Sequence, residues 1–366
     1  LATVKGEVAK TKRTGVLVKS VSIQGLRGIA EGTLSDLSGI TILVGRNNTG
    51  KSTVLEALYL AASGCEYDLL GRQALKYVLM RRGWFGLSTA GWLFLVGQDS
   101  CNITLNMEDG AQVKLELRLE TGIEAEYIDS LRLRGLDVSN CASIVSSTRG
   151  AFTREFRHYI DANGLYDLIR ESASGSPIET LLLDWEAVTS YGRPEECYSL
   201  MVRSGGIEAK NMVLNVIAQK YGIKDLQPLE EHDRWVLYVV HEEYSVPVYL
   251  IGDGLRLALV YLMLLSVASD ALLLLEEPEL HQHPGLLELV AEAIVRSHAQ
   301  RRCQVVLSTH SLELIDLLIR KAEKLGVSDS LIVHRLSLEQ GKLNSVSYSA
   351  QEVKELREEL EYDLRR

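Results

Sequence analysis

The stretch "GRNNTGKST", Gly45 to Thr53, follows the apolar run "GITILV" and opens a helical pattern, "KSTVLEALYLAA". Gly45-x4-Gly50-Lys51-Ser52 has the spacing of a phosphate-binding loop, with a strand before it and a helix after it. The glycines let backbone N–H groups close around a β-phosphate, aided by the helix N-terminus. Lys51 then reaches the β- and γ-phosphates and the Ser52 hydroxyl ligates Mg2+. Asn47, Asn48 and Thr53 complete the candidate loop. ATP with Mg2+ is the expected ligand.

The rest of the chain must fold around that loop. Residues up to about 63 read as strand, turn, strand, loop, helix. A helix is expected within "DLLGRQALKYVLMRR", then a hairpin from "NITLNM" to "QVKLELRL" with Asp109-Gly110 at the bend. "YIDSLRLRG" and "ASIVSS" read as further strands. From about 152 to 222 the pattern turns helical, without a sustained heptad. "RWVLYVV" and "VPVYLI" read as a strand pair. The final third alternates: helix 254–268, strand 271–276, helix 284–299, strand 304–308, helix 311–323, then two strands and a helix. That alternation indicates an α/β fold with a largely parallel core sheet. The expected division is 1–150 and 223–366 as two parts of one head, carrying an antiparallel β lobe, with 151–222 as an inserted helical lobe.

Composition narrows the partners. With 49 acidic against 39 basic residues the net charge is −10, which argues against coating nucleic acid through general basicity. Local basic faces are left open. Arg149, Arg154, Arg157 and His158 read either as a phosphate-contacting strip or as a solvated helix face. The N-terminal Lys5, Lys10, Lys12, Arg13 and Lys19 read the same two ways. No apolar segment follows that basic start, so no signal peptide is expected. Arg256 and Asp270 divide the longest apolar run into a buried helix and a buried strand. A cytoplasmic protein without a membrane partner is expected. The five cysteines have no C-x-x-C spacing, so neither a zinc site nor a disulfide framework is expected.

Three more motifs carry chemistry. In "LLLLEEPELHQHP" a buried strand ends at Glu276 and Glu277, beside the phosphate loop if the sheet is parallel. Glu276 is the candidate for holding Mg2+ through water, and Glu277 the candidate general base for an attacking water. In "QVVLSTHS" a second strand delivers His310 to the same edge, where it can sense a γ-phosphate. "GDGLR" places Gly252, Asp253 and Gly254 at a helix start, as a second anion nest or as a turn capped by Asp253. A chain scarcely needs two phosphate cradles, so a head-to-tail dimer with ATP sandwiched between subunits is expected. Glu279, His281 and His283 admit a minor reading as a metal site.

The order of phosphate loop, inserted lobe, "GDGLR", "LLLLEEPELHQHP" and "STHS" resembles ABC-type ATPases of the SMC/RecF/OLD group. The OLD-type branch, whose acidic motif reads E-E-P-E-x-H-x-H-P, is most similar. The resemblance covers nearly the whole chain and is weakest over 64–222. It implies that Lys51 and Ser52 bind phosphate and Mg2+, that Glu277 is the catalytic base and that His310 is the switch histidine. It also implies that Gly252–Gly254 act in trans as the signature. Arg27, in "QGLRGI", takes the place of an F-R-S element and is read as a nucleotide contact or as a surface turn. The signature is not L-S-G-G-Q, which disfavours a transporter subunit, and Gln98 is a weak Q-loop candidate. About fifty residues follow His310, too few for a Toprim nuclease domain; the final "DLRR" resembles the end of stand-alone ATPases of that branch. The expected function is an ATP-dependent dimerising switch working through a separate effector, in repair or anti-phage defence. An ATP-binding scaffold is the alternative.

Overall fold

The structure is a computed structural model that describes residues 17–190, 193–280, 282, 284–360 and 363. Lys5, Lys10, Lys12 and Arg13, the histidines at 281 and 283, and residues 364–366 of the closing "DLRR" lie outside the described residues.

The N-terminal part runs β1 (Val18–Leu26), β2 (Ile29–Leu34), β3 (Ile40–Val44), α1 (Lys51–Ser63), α2 (Ala74–Met80) and α3 (Ser88–Gly91). It continues with β4 (Ser100–Met107), β5 (Gln112–Glu120), α4 (Ala125–Leu133), β6 (Cys141–Gly150), β7 (Thr153–Asp161), β8 (Tyr166–Ser174) and β9 (Thr180–Leu183). Next come α5 (Trp185–Ser190), α6 (Pro194–Leu200), a π-helical turn (Met201–Gly205) and α7 (Gly206–Tyr221). A small sheet follows, of β10 (Asp225–Glu231), β11 (Arg234–Val240) and β12 (Ser245–Pro247). The last part is α8 (Asp253–Val267), β13 (Leu272–Glu276), α9 (Pro284–Arg301), β14 (Gln304–Ser308), α10 (Leu312–Leu325), β15 (Leu331–Glu339), β16 (Lys342–Ser349) and α11 (Ala350–Leu360).

One 13-stranded sheet holds most of these strands, in the order β8-β7-β6-β5-β4-β1-β2-β16-β15-β3-β14-β13-β9. The neighbours β9, β13, β14, β3 and β15 are parallel, whereas the run from β8 to β2 is antiparallel throughout. The expected parallel core and antiparallel β lobe are therefore two ends of a single sheet. Strands buried on both faces read as continuous apolar runs, which is why "ITILV" and "LLLL" are wholly buried. α1 packs on β1, β4, β9, β13 and β14, while α9 contacts β14, α8 and α10.

Register decides what meets at the sheet edge. Glu276 is paired with Ser308 across β13 and β14, and Ser308 with Leu43 across β14 and β3. The carboxyl ends of these parallel strands are level, so the loops leaving them converge, as ligand-binding loops of open α/β sheets do. Packing there is sensitive: Leu274 is fully buried in the middle of β13. Leu274→Ala is expected to destabilise by about 2–5 kcal/mol, read as a lower urea midpoint with an unchanged slope.

Several local expectations are corrected. Residues 127–135, read as a strand, lie mostly in α4, with Tyr127 packing against the buried Leu131 one turn on. The stretch 151–184, read as helical, carries β7, β8 and β9; helix begins only at Trp185. In β7 the inward positions are Arg154, Phe156 and His158, all buried. Two polar residues on the buried face hid the period-2 pattern that marks a strand. The proposed basic strip dissolves for the same reason. Arg154 is ion-paired with Glu66 at 2.7 Å and hydrogen-bonds the carbonyls of Thr153, Ser174 and Gly175. Arg157 is held by Glu120, Glu124 and Glu171. His158 is buried against Ser146 and Tyr166, and burial pushes its pKa down to about 3. Neither β2 nor β10 was foreseen.

Candidate functional site

β3 ends at Val44, and the chain turns through Gly45 into the loop that starts α1. Gly45 has φ 141°, and a Cβ there would lie 2.6 Å from the Leu336 carbonyl oxygen; only glycine tolerates both conditions. Gly50 caps α1 in the left-handed region, no side chain caps the helix, and its first turn carries no acid. The first N–H groups of α1 thus face a loop with no protein carboxylate in it, the arrangement that favours an anion. Arg46, Asn47 and Asn48 are exposed, Ser52 and Thr53 half-buried. Lys51 is buried and donates to the carbonyls of Gly45 (2.9 Å) and Arg46 (2.8 Å). Burial lowers its pKa, opposed by the charges of Glu277, Glu276 and Glu279. Those three acids are the charges that act on the loop lysine.

Glu277 leaves β13 with φ 47°, an uncommon conformation for a non-glycine residue. Its N–H donates to the Ser308 carbonyl at 3.0 Å. The turn brings its carboxylate within 3.6 Å of His310 Nε2. Both side chains are about one-third exposed, 33% and 34%, so water reaches them. Lys51, Glu276, Glu277 and His310, scattered over 260 positions, are thus gathered at one sheet edge.

Glu276 and Arg27 have partners the sequence did not disclose. Glu276 is ion-paired with buried Arg81, and Arg82 lies 3.4 Å away. Arg81 also binds Glu56 at 2.8 Å and Asp184 at 2.5 Å. Arg27, at φ 49°, pairs with Glu56 and donates to the Val78 carbonyl. Burial opposes ionisation of Glu56, yet Arg81, Arg27 and Arg82 outweigh it and hold the carboxyl below its ordinary value. Asp184 is likewise held low, by Arg81 and the Tyr77 hydroxyl against burial. Arg81, Glu56 and Asp184 were missed. A usable signal was present in "VLEALYLAA": one acid in an otherwise apolar helix must find cations when buried.

Glu279 accepts hydrogen bonds from Thr309 Oγ1 (2.7 Å) and the His310 N–H (2.8 Å), and burial raises its pKa. No cluster able to hold a metal through three His, Cys, Asp or Glu side chains is present among the described residues, and Glu279 is engaged with the histidine loop. Gln98 sits in an exposed loop before β4. Gly252 is the N-cap of α8, not Asp253, which pairs with Arg256 at 2.9 Å. A cavity of about 230 Å3 lined by Arg81, Arg82, Asp184, Glu276 and Glu277 opens beside the acids. Another of about 310 Å3, lined by Gly45, Arg46, Thr49 and Arg335, flanks the loop. A larger one, about 780 Å3, lies away from this chemistry between α2 and β8.

The fold and this cluster define a P-loop nucleotide-binding head. Residues 17–128 match a family described as "AAA ATPase domain", and residues 199–316 one described as "AAA domain, putative AbiEii toxin, Type IV TA system". The fold is shared with "Crystal structure of the SmcHead bound to the C-winged helix domain of ScpA": TM-score 0.52, 13% identity, over 91% of this chain and 98% of that one. An Smc head with an extended coiled coil, bound to the C-terminal domain of ScpA derived from Pyrococcus furiosus, gives 0.51 and 12% over 94% and 99%. Two uncharacterized proteins of Methanocaldococcus jannaschii are similar in sequence. MJECL11 is 39% identical over 114 residues, 31% of this chain and 98% of the relative. MJECL10 is 23% identical over 228 residues, 62% and 97%. AAA ATPase family models thus match two separate parts of the chain, and its fold is that of the SMC heads. No helix among the described residues is long and apolar enough to cross a membrane.

Proposed function

We propose that the protein hydrolyses ATP to ADP and phosphate and uses the nucleotide as a switch for pairing two heads. The observation that carries this reading is the Glu277 carboxylate 3.6 Å from His310 Nε2, at the strand edge where Lys51 opens α1. Lys51 and the loop N–H groups from Gly45 to Thr53 bind and orient the β- and γ-phosphates. Glu277 accepts the proton of the attacking water, and His310 donates a hydrogen bond to the γ-phosphate. Arg27 serves the nucleotide indirectly, through Glu56 of α1. The Ser52 hydroxyl and the Glu276 carboxylate are hard oxygen donors of the kind Mg2+ takes, and the first turn of α1 carries no acid, so these residues fit the metal. When bound, Mg2+ neutralises charge building on the phosphate oxygens.

Gly252, Asp253 and Gly254 open α8 with no side-chain cap. Gly252 and Asp253 are bonded locally, to Arg256, which suits a nest offered to a second copy's nucleotide. The SMC heads in the structural comparison are bound to another protein, ScpA, which supports a separate effector for this head as well. The E-E-P-E motif supports placing it in the OLD-type branch, acting on nucleic acid in repair or anti-phage defence. The head takes in β7, β8 and β9, which lie in the same sheet as β6 and β13, and the helical segment begins at 185 and not at 151.

Replacing the loop lysine tests the nucleotide assignment. Lys51→Ala is expected to weaken ATP binding about 100-fold, on the order of 3 kcal/mol, measured by calorimetry. Unchanged affinity would remove the loop from the site. One observation favours a scaffold with little turnover: Glu276 is already held by Arg81. Wild-type turnover no faster than that of Lys51→Ala, with ATP still bound, would select that reading.

A further inference from the structure

We infer that Glu279 is a positioning residue of the catalytic edge: its carboxylate latches the histidine loop, setting where His310 stands relative to Glu277. The inference rests on the ATPase reading above. Three clasps tie the loop after β13 to the loop after β14. The Glu277 N–H donates to the Ser308 carbonyl at 3.0 Å. Glu279 Oε1 accepts from Thr309 Oγ1 at 2.7 Å and from the His310 N–H at 2.8 Å. The third is the approach of His310 Nε2 to Glu277 Oε1, at 3.6 Å. Only that last one carries the chemistry; the first two fix the backbones from which its partners extend.

The latch is specific in its donors. Thr309 is fully buried, and its hydroxyl oxygen in turn accepts the Ser311 N–H at 2.9 Å. Ser311 then caps α10 by accepting the Leu314 N–H at 3.1 Å. One carboxylate thereby fixes the backbone from the end of β14 to the start of α10, with His310 in the middle. Glu279 holds His310 by its backbone N–H, so its influence runs through the main chain. Pro278 sits between the left-handed Glu277 and Glu279, which limits how far the two acids shift independently. A hydrogen bond to an ionised acceptor is among the stronger ones available, so the loop loses a directed restraint when it is removed.

Glu279→Gln keeps an acceptor oxygen for both donors, and Glu279→Ala removes it. Hydrogen exchange of the peptide around residues 308–314 reads the latch without any turnover. Slower exchange in wild type and Glu279→Gln than in Glu279→Ala is expected; equal exchange in all three overturns the latch. In steady-state ATPase assays Glu279→Ala is expected to lower kcat about 10–100-fold with KM for ATP changed less than about threefold, and Glu279→Gln to restore most of kcat. Two results overturn the positioning role: Glu279→Gln as slow as Glu279→Ala, or Glu279→Ala as fast as wild type. Should wild type itself not turn over ATP, the ATPase reading fails, while the exchange data still decide whether the latch exists.

Discussion

Glu277→Gln is expected to lower kcat by about 10²–10⁴-fold while leaving ATP bound, because it removes the proton acceptor and keeps the side chain's shape. The substitution spares the backbone bond from residue 277 to Ser308 and the buried strand behind it. Lys51 keeps its loop contacts, so the nucleotide is still gripped. If ATP joins two heads and hydrolysis parts them, the variant accumulates as an ATP-bound dimer, visible as a shift in mass by light scattering. Unimpaired turnover would remove Glu277 from the chemistry. Slow turnover without a dimer would leave the ATPase and remove the switch.

The second large effect is expected at Arg81. Its guanidinium is buried with Glu56, Asp184 and Glu276 around it, and Glu56 is completely buried. Arg81→Ala strips Asp184 of its ion-pair partner and leaves the buried Glu56 with Arg27 and Arg82 alone, a change of about 3–5 kcal/mol. A fall in urea midpoint of that size is the measurement, and a change under about 1 kcal/mol would refute the account. The sign with pH follows from the depressed carboxyls. Glu56 and Asp184 ionise more readily folded than unfolded. Their stabilisation is full above the ordinary values of 4.5 and 3.8 and is lost as pH falls through the folded ones. Arg81→Ala is expected to flatten that acid limb. Because Arg81 also holds Glu276, the variant separates stability from activity only when both are measured.

These effects concern residues of different legibility. Lys51 and Gly45 were visible because backbone geometry around a phosphate demands their spacing, whatever surrounds the loop. Glu277 and His310 were visible because each ends a run of buried residues, and such runs become adjacent strands of a parallel sheet. The basic strip of β7 was misread for a reason that does not touch those residues. Arg154 and His158 face inward against Glu66 and Ser146, and charge in a sequence does not say which face it occupies. The same blindness hid Arg81. Its worth lies in Glu56, Asp184 and Glu276, 25, 103 and 195 positions away, and no local pattern encodes such distances.

The sequence by itself determined the α/β class, the strand–loop–helix around Gly45 to Ser52, and the buried strands that end in Glu276 and in the serine before Thr309 and His310. Those follow from short-range rules of glycine geometry, helix N-termini and apolar runs. Tertiary structure alone decided the rest. Register across β13, β14 and β3 levels the strand ends, and a left-handed Glu277 turns its carboxylate toward His310. Glu56, Arg81 and Glu279 acquire their roles from charges and hydrogen-bond donors that only folding brings near. Burial makes those partners obligatory, because an ion taken from water must find its counter-charge in space.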